Sequence, residues 1–134
     1  MHVDGGCYCG ALRYSADINP ERVVICHCTD CQITSGTAFR TIVQARAADF
    51  EMLEGTPRIY EKMGESGNRR ALAFCDQCGS HIYAASAEEP PELYALRVGT
   101  LEQRDRLKPS MQVWCRSQLD WLGNIAELNA LEKQ

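Results

Sequence analysis

The chain has 134 residues, of which 45% are hydrophobic and 24% charged, and its formal net charge is −4. This length suits one domain, residues 1–134, with a single hydrophobic core. The acidic balance argues against nucleic acid as a partner, because nucleic acid is bound by basic surfaces. No segment approaches the roughly 18 apolar residues of a membrane-spanning helix, so we expect no membrane partner.

Short runs of alternating or β-branched residues, separated by turn signals, predict a mainly β protein of antiparallel strands. The expected strands, in chain order, are residues 11–16, 22–26, 39–45, 50–53, 58–63, 70–74, 81–84, 92–98 and 111–115. Residues 55–57 form a turn signal, and residues 64–68 predict a loop. A short C-terminal helix is predicted from residues that recur at helical spacing: Leu122, Ile125, Leu128, Asn129 and Leu131.

Seven of the eight cysteines fall into three short clusters. They are Cys7-Tyr8-Cys9, then Cys26-His27-Cys28-Thr29-Asp30-Cys31, then Cys75-Asp76-Gln77-Cys78. Thiolates two or three residues apart converge on a soft cation, and tetrahedral zinc is the usual one. Cys-x-Cys spacing suits a metal better than a disulfide. Because the first residues also lack the features of a secretion signal, we expect a reduced, zinc-binding, cytoplasmic protein.

The first and third clusters are expected to form one structural zinc site, with four ligands: Cys7, Cys9, Cys75 and Cys78. Gly6 and Gly10 flank the first pair, and Gly79 follows the second. Glycine permits the tight turns that direct backbone N–H groups at sulfur and so stabilise its charge. A structural zinc contributes about 10–16 kcal/mol in apparent terms, enough to close the long intervening loop. The alternative is that these cysteines are small buried residues without metal.

The second cluster, Cys26, Cys28 and Cys31, predicts an open metal site that carries the catalysis. Residues 23–25 form a β-branched approach, and Thr29 or Asp30 can cap a following helical turn. Three protein ligands and one exchangeable position are the pattern of catalytic zinc. A zinc with three thiolates has a net charge of about −1, so it is a weak Lewis acid. The site therefore favours a thiol as its fourth ligand over an activated water.

Two other interpretations of this cluster stay open: a structural site completed by a fourth protein ligand, or thiols without metal. His27, His81 and His2 are the candidate fourth ligands. Cys115, the eighth cysteine, lies at the end of a predicted strand. There it is either a small buried residue or a reactive thiol.

The ordered motifs C-x-C, C-H-C-x-x-C-x-x-x-x-G and C-x-x-C-G-S resemble the glutathione-dependent formaldehyde-activating enzyme family, which includes centromere protein V. Residues 96–101 and the segment from Val113 to Trp121 also resemble that family's closing segments. The resemblance implies a β-tent fold like that of the Mss4 guanine-exchange chaperone. It also implies a structural zinc on the four cysteines of the first and third clusters, and a second zinc on the three of the second.

The activity that the family name implies is the formation of S-hydroxymethylglutathione from formaldehyde and glutathione, which is classed as a carbon–sulfur lyase reaction. The partners would then be a small-molecule thiol such as glutathione and a small aldehyde. The candidate donors to the reacting oxygen or to substrate carboxylates are Arg40, Arg69, Arg70 and Arg97.

Two other functions compete with this enzyme. The first is a non-enzymatic binding module stabilised by zinc, which the Mss4 comparison suggests. The second is a thiol oxidoreductase that uses Cys115 and resembles the B-type methionine sulfoxide reductases. Those enzymes carry an asparagine two residues after the cysteine, where this chain has Ser117, so the oxidoreductase is the less favoured of the two.

Overall fold

The computed structural model of the chain describes residues 1–88 and 90–133. Its strands are β1 (His2–Gly6), β2 (Arg13–Cys26), β3 (Arg40–Glu54), β4 (Arg58–Met63), β5 (Arg69–Phe74), β6 (His81–Ser86), β7 (Leu93–Arg97) and β8 (Met111–Val113). One α-helix, α1 (Thr29–Ser35), follows β2. The prediction of a mainly β protein is confirmed. Among the described residues, no helix is long and apolar enough to cross a bilayer.

The strands form a single sheet in the order β1-β2-β3-β7-β6-β5-β4, and each neighbouring pair on this path is antiparallel. The short strand β8 pairs in parallel with the end of β2, where Cys26 lies opposite Val113. The long strands β2 and β3 bend, because their register shifts at Ala16, Ile18 and Val23. These irregularities let the first half of β2 pair with β1 and its second half with β8.

One face of the sheet packs into a single hydrophobic core. Its fully buried members include Val3, Tyr14, Val43, Leu96 and Leu101. Burial alternates along β1 and the start of β2, as expected for strands with one face on the core. The phenol of Tyr14 is buried, and its hydroxyl forms a 2.7 Å hydrogen bond with Oγ1 of Thr100, so this polar group is satisfied.

The structure corrects several predicted boundaries. Residues 39–45 and 50–53 belong to one bent strand, β3, and residues 2–6 form a strand that the sequence did not predict. Glycines at 5 and 6 weaken the strand signal there. Gly5 is nevertheless required in β1, since a Cβ at this position would meet the ring of Tyr14.

The C-terminal segment is helical, but it is a 3₁₀ helix, Asp120–Glu127, with no buried residues. It ends before Leu128 and Leu131, which are exposed. The last strand also ends earlier than predicted, because Trp114 adopts a left-handed conformation with φ of 60°. Cys115 then begins a 3₁₀ turn and is exposed, so its prediction as a buried strand residue is wrong.

Two glycines in left-handed turns give a matched test of this backbone. Gly55, between β3 and β4, has φ of +73°, and a Cβ there would collide with the carbonyl oxygen of Ala11. Gly67, with φ of +82°, has no atom within 4 Å of the same position. We expect Gly67→Ala to lower the free energy of unfolding by about 1–2 kcal/mol, from the conformation alone. Gly55→Ala should lower it by about 3 kcal/mol or more, because the backbone must also move.

Urea unfolding followed by circular dichroism measures both changes. Equal losses for the two variants would contradict the close approach of Gly55 to Ala11.

Candidate metal centres

The cysteines of the first and third clusters meet in the structure and are called the four-thiol cluster: Cys7, Cys9, Cys75 and Cys78. Their four sulfurs all lie within 4.8 Å of one another. The Sγ atoms of Cys7 and Cys9 are 3.5 Å apart, and those of Cys9 and Cys75 are 3.7 Å apart. A disulfide would need about 2 Å, whereas a tetrahedral zinc with bonds of about 2.3 Å separates its sulfurs by about 3.8 Å. The spacing therefore fits a tetrahedral metal ion.

Two tight turns position these sulfurs. The N–H of Gly10 donates to the carbonyl of Cys7 over 3.1 Å, and that of Gly79 donates to the carbonyl of Cys75 over 2.9 Å. Both glycines have a positive φ, 82° at Gly10 and 73° at Gly79. The turn after Cys7 also brings the N–H of Leu12 to 3.2 Å from the Cys7 sulfur. The backbone donation predicted from the glycines is thus present at this sulfur.

Ser80 links the two turns, a role that the sequence analysis did not assign. Its hydroxyl lies 3.3 Å from the sulfur of Cys78, and it accepts a 3.0 Å hydrogen bond from the N–H of Tyr8. Hydrogen bonding to the Ser80 side chain and backbone lowers the pKa of the Cys78 thiol to about 5. The signal was present in the motif C-x-x-C-G-S, whose serine is the residue that stabilises a thiolate.

The second set of sulfurs, Cys26, Cys28 and Cys31, is called the three-thiol cluster. Its sulfurs also lie within 4.8 Å of one another. Cys26 is the last residue of β2, and Cys28 is the N-cap of α1, where its sulfur accepts a hydrogen bond from the N–H of Cys31 over 3.4 Å. Hydrogen bonding from Cys31 lowers the pKa of the Cys26 thiol to about 5, although burial opposes the change. Burial raises the pKa of the Cys28 thiol, and the hydrogen bond with Cys26 raises the pKa of the Cys31 thiol. Cys26 is therefore the member that favours thiolate, the form that binds metal.

The three-thiol cluster lines a cavity of about 750 Å³, and none of the four-thiol sulfurs does. This volume lies within the range of roughly 300–1,000 Å³ typical of small-molecule sites. One wall of the cavity is a face of the sheet. The side chains on this wall are paired across neighbouring strands and therefore lie on the same face: Ile42, Leu72, Ala84, Ala95 and Arg97. This is the face opposite Val43 and Leu96, so the sheet separates the core from the cavity.

The cavity lining also includes five charged residues: Asp30, Lys62, Glu65, Arg70 and Arg97. Lys62 of β4 forms an ion pair with Asp30 of α1, so the hairpin of β4 and β5 reaches across to the helix that carries Cys31. Arg116 pairs with Glu65 at 2.7 Å and connects the tip of the same hairpin to the C-terminal segment. Three cations and two carboxylates leave an excess of one positive charge, which faces the three thiols across the cavity.

The candidate fourth ligands lie elsewhere. His27 is buried, and its Nε2 is 2.8 Å from Oε1 of Gln112, which ties the end of β2 to β8. His81 stacks on Phe74, and His2 lies on β1 beside two exposed aspartates. Within residues 1–88 and 90–133, no His, Cys, Asp or Glu joins the three sulfurs as a fourth ligand. The prediction of three protein ligands at this site agrees with that arrangement, and metal binding itself stays a prediction.

The four candidate arginines separate into surface and buried pairs. Arg69 is exposed and pairs with Glu61, while Arg70 lies at the cavity. Arg40 and Arg97 are buried, with 6% and 8% of their surface exposed. Cys115 joins neither thiol cluster, although its neighbour Trp114 lines the cavity.

Comparison with known proteins identifies the family. The family model described as glutathione-dependent formaldehyde-activating enzyme matches residues 2–117. The chain belongs to this family. The resemblance noted in the cysteine motifs is thereby confirmed. The chain is also similar to the crystal structure of a Rhodobacter sphaeroides protein, with a TM-score of 0.62 and 21% sequence identity. The match covers 82% of this chain and 99% of that one. At that identity the likeness shows the fold alone.

Metal content distinguishes the roles of the two clusters. We expect about two zinc ions per chain, and about one after Cys28→Ser, with the fold retained because α1 and the cavity lie outside the core. Cys75→Ser should prevent stable folding, since it removes a ligand that joins distant parts of the sheet. Native mass spectrometry gives the metal count, and circular dichroism reports the fold. A Cys28→Ser protein as unstable as Cys75→Ser would contradict the division into a structural and an open site.

Proposed function

We propose that the chain is a zinc-dependent enzyme that forms or cleaves a thiol–aldehyde adduct such as S-hydroxymethylglutathione. The observation that carries this proposal is the three-thiol cluster, whose sulfurs all line one large cavity while the four-thiol cluster lies apart from it. Membership of a glutathione-dependent family supports a thiol and a small aldehyde as substrates. The cluster then acts in catalysis, and the four-thiol cluster holds a structural zinc.

The reaction joins a thiol to an aldehyde with all atoms retained. A bond forms between the thiol sulfur and the carbonyl carbon, the carbonyl π bond breaks, and the thiol proton ends on oxygen. A zinc on Cys26, Cys28 and Cys31 would keep the sulfur of the substrate deprotonated at neutral pH. The reverse reaction cleaves the carbon–sulfur bond, as in a lyase.

The lining of the cavity suits the charges that develop in this reaction. Lys62, Arg70 and Arg97 place positive charge around a space that must hold a thiolate and then an oxygen that gains negative charge. Lys62 is fixed by Asp30, the residue before Cys31, so its ammonium is held near the thiols. Ile42, Leu72 and Ala84 form an apolar wall, and an apolar surface beside charges strengthens their interactions.

The structure bears on the two competing functions. A binding module would need a filled second site, but the described residues offer no fourth ligand to the three sulfurs. An oxidoreductase would need Cys115 close to a partner thiol, and this cysteine is exposed and belongs to neither cluster. No observation among the described residues specifically favours either alternative. A thiol such as glutathione and cysteines that must stay reduced both fit the predicted cytoplasmic location.

Activity should depend on the three-thiol cluster and not on Cys115. We expect Cys28→Ser to lower the rate of glutathione-dependent formaldehyde exchange by roughly a hundredfold or more, because the site loses a ligand. The matched control Cys115→Ser removes a thiol outside both clusters and should leave the rate unchanged.

Exchange spectroscopy with ¹³C-formaldehyde and glutathione measures the rate at equilibrium, above the uncatalysed background. A wild-type protein with both metals bound but no acceleration would overturn the proposed enzyme for this substrate pair. Loss of activity in Cys115→Ser would instead contradict the assignment of catalysis to the three-thiol cluster alone.

A further inference from the structure

Two buried arginines have no acidic partner in the part of the chain that the structure describes. Arg40 and Arg97 are more than nine-tenths buried, and neither takes part in an ion pair with a carboxylate there. The Nε atom of each is buried without a hydrogen-bond partner. Within the described residues these guanidinium groups make one hydrogen bond, from Nη2 of Arg40 to Oγ1 of Thr34 over 2.9 Å. Buried charges are normally paired, so this arrangement requires a cause.

The two arginines lie close together on the same face of the sheet. Arg97 of β7 is opposite Ile42 of β3, and Arg40 is two residues before Ile42 on the same strand. Residues related in this way are diagonal neighbours, with a separation of about 7–8 Å. Burial and the charge of Arg40 lower the pKa of Arg97 to about 10, which reflects their repulsion.

A groove beside the cavity brings these two side chains together with a third nitrogen. It has a volume of about 660 Å³ and is lined by both arginines and by His81. The Nδ1 atom of His81 is buried and has no hydrogen-bond partner. The backbone of Gly36, Gly79 and Gly99 forms other parts of the lining, and a Cβ at any of them would meet no atom within 4 Å. The groove is thus lined by three side chains that each carry a buried nitrogen without a partner among the described residues.

The three-thiol cluster compensates part of this positive charge and not all of it. Arg40 lies opposite Cys26 in the pairing of β2 with β3, so a thiolate there is a near counter-charge. Three thiolates with one divalent cation have a net charge of about −1, whereas Arg40 and Arg97 together carry two positive charges. Arg70, which also repels Arg97, adds to the excess. At least one negative charge therefore remains to be supplied.

We propose that the groove formed by Arg40, His81 and Arg97 is an anion-binding site for an oxyanion, either a carboxylate or a phosphate. Guanidinium groups bind both planar carboxylates and phosphates through paired hydrogen bonds. Arg97 lines the thiol cavity as well as the groove, so a carboxylate attached to a bound thiol and a free anion share the same chemistry. The site binds its anion without turnover, so it is independent of the proposed enzyme activity.

The histidine ring signals of the zinc-loaded protein report binding directly, because the chain has only three histidines. The probes are inorganic phosphate, acetate and S-methylglutathione, which carries carboxylates but no free thiol. We expect a saturable shift of the His81 signals and none of the exposed His2. Tighter binding of S-methylglutathione than of the other two indicates a substrate carboxylate, and tighter binding of phosphate indicates a free anion.

Conservative variants test whether the arginines bind the anion. Arg97→Lys and Arg40→Lys keep the buried charge and lose the paired hydrogen bonds, so each should weaken binding about tenfold. The matched control Arg46→Lys alters an exposed arginine paired with Asp49 and should leave affinity unchanged. Metal content and amide spectra verify that each variant folds.

Two results would overturn the proposal. The first is an absence of His81 shifts with all three probes in the wild type. The second is unchanged affinity in both lysine variants. In either case the arginines serve only as counter-charges for the three thiolates.

Discussion

The meeting of four sulfurs from distant parts of the chain is the constraint on which the rest of the structure depends. Cys7 and Cys9 follow β1, whereas Cys75 and Cys78 form the turn between β5 and β6. Ionised thiols at this spacing repel each other strongly unless a cation lies between them. A metal bridge would therefore join the end of β1 to the turn between β5 and β6. The central strands β3 and β7, which carry the buried arginines, lie between these two parts of the sheet.

The two thiol clusters differ in what surrounds them, and that difference supports the separate roles that we propose for them. The sulfurs of the four-thiol cluster are positioned by tight turns, with donors from the backbone of Leu12 and from Ser80. The three-thiol cluster lies between the end of β2 and the start of α1, where Cys28 is the N-cap. One side of this cluster is open to the cavity. The first arrangement favours a stable, closed ion, and the second leaves room for a substrate atom.

The sequence predicted the grouping of the cysteines better than it predicted the surroundings of the two clusters. Cysteine spacing and flanking glycines separate the two clusters because ligand spacing is a local property, and strand periodicity identifies most of the sheet for the same reason. The strand β1 was missed, since Gly5 is chosen for its contact with Tyr14 and not for strand propensity. Arg69 and Arg97 looked equivalent as candidates. Only the pairing of β3 with β7 places Arg97 on the cavity face, and such pairing depends on the whole fold.

The buried arginines also indicate what the second face of the sheet is for. Along β7, Leu96 packs into the core while Ala95 and Arg97 face the cavity, so both faces are buried. A strand buried on both faces is usually apolar throughout. Apolar residues in place of unpaired buried charges are often neutral or stabilising for the fold. Stability of the fold alone therefore does not account for Arg97 and Arg40. Their position beside the three thiols is instead consistent with the binding of the anion that we propose.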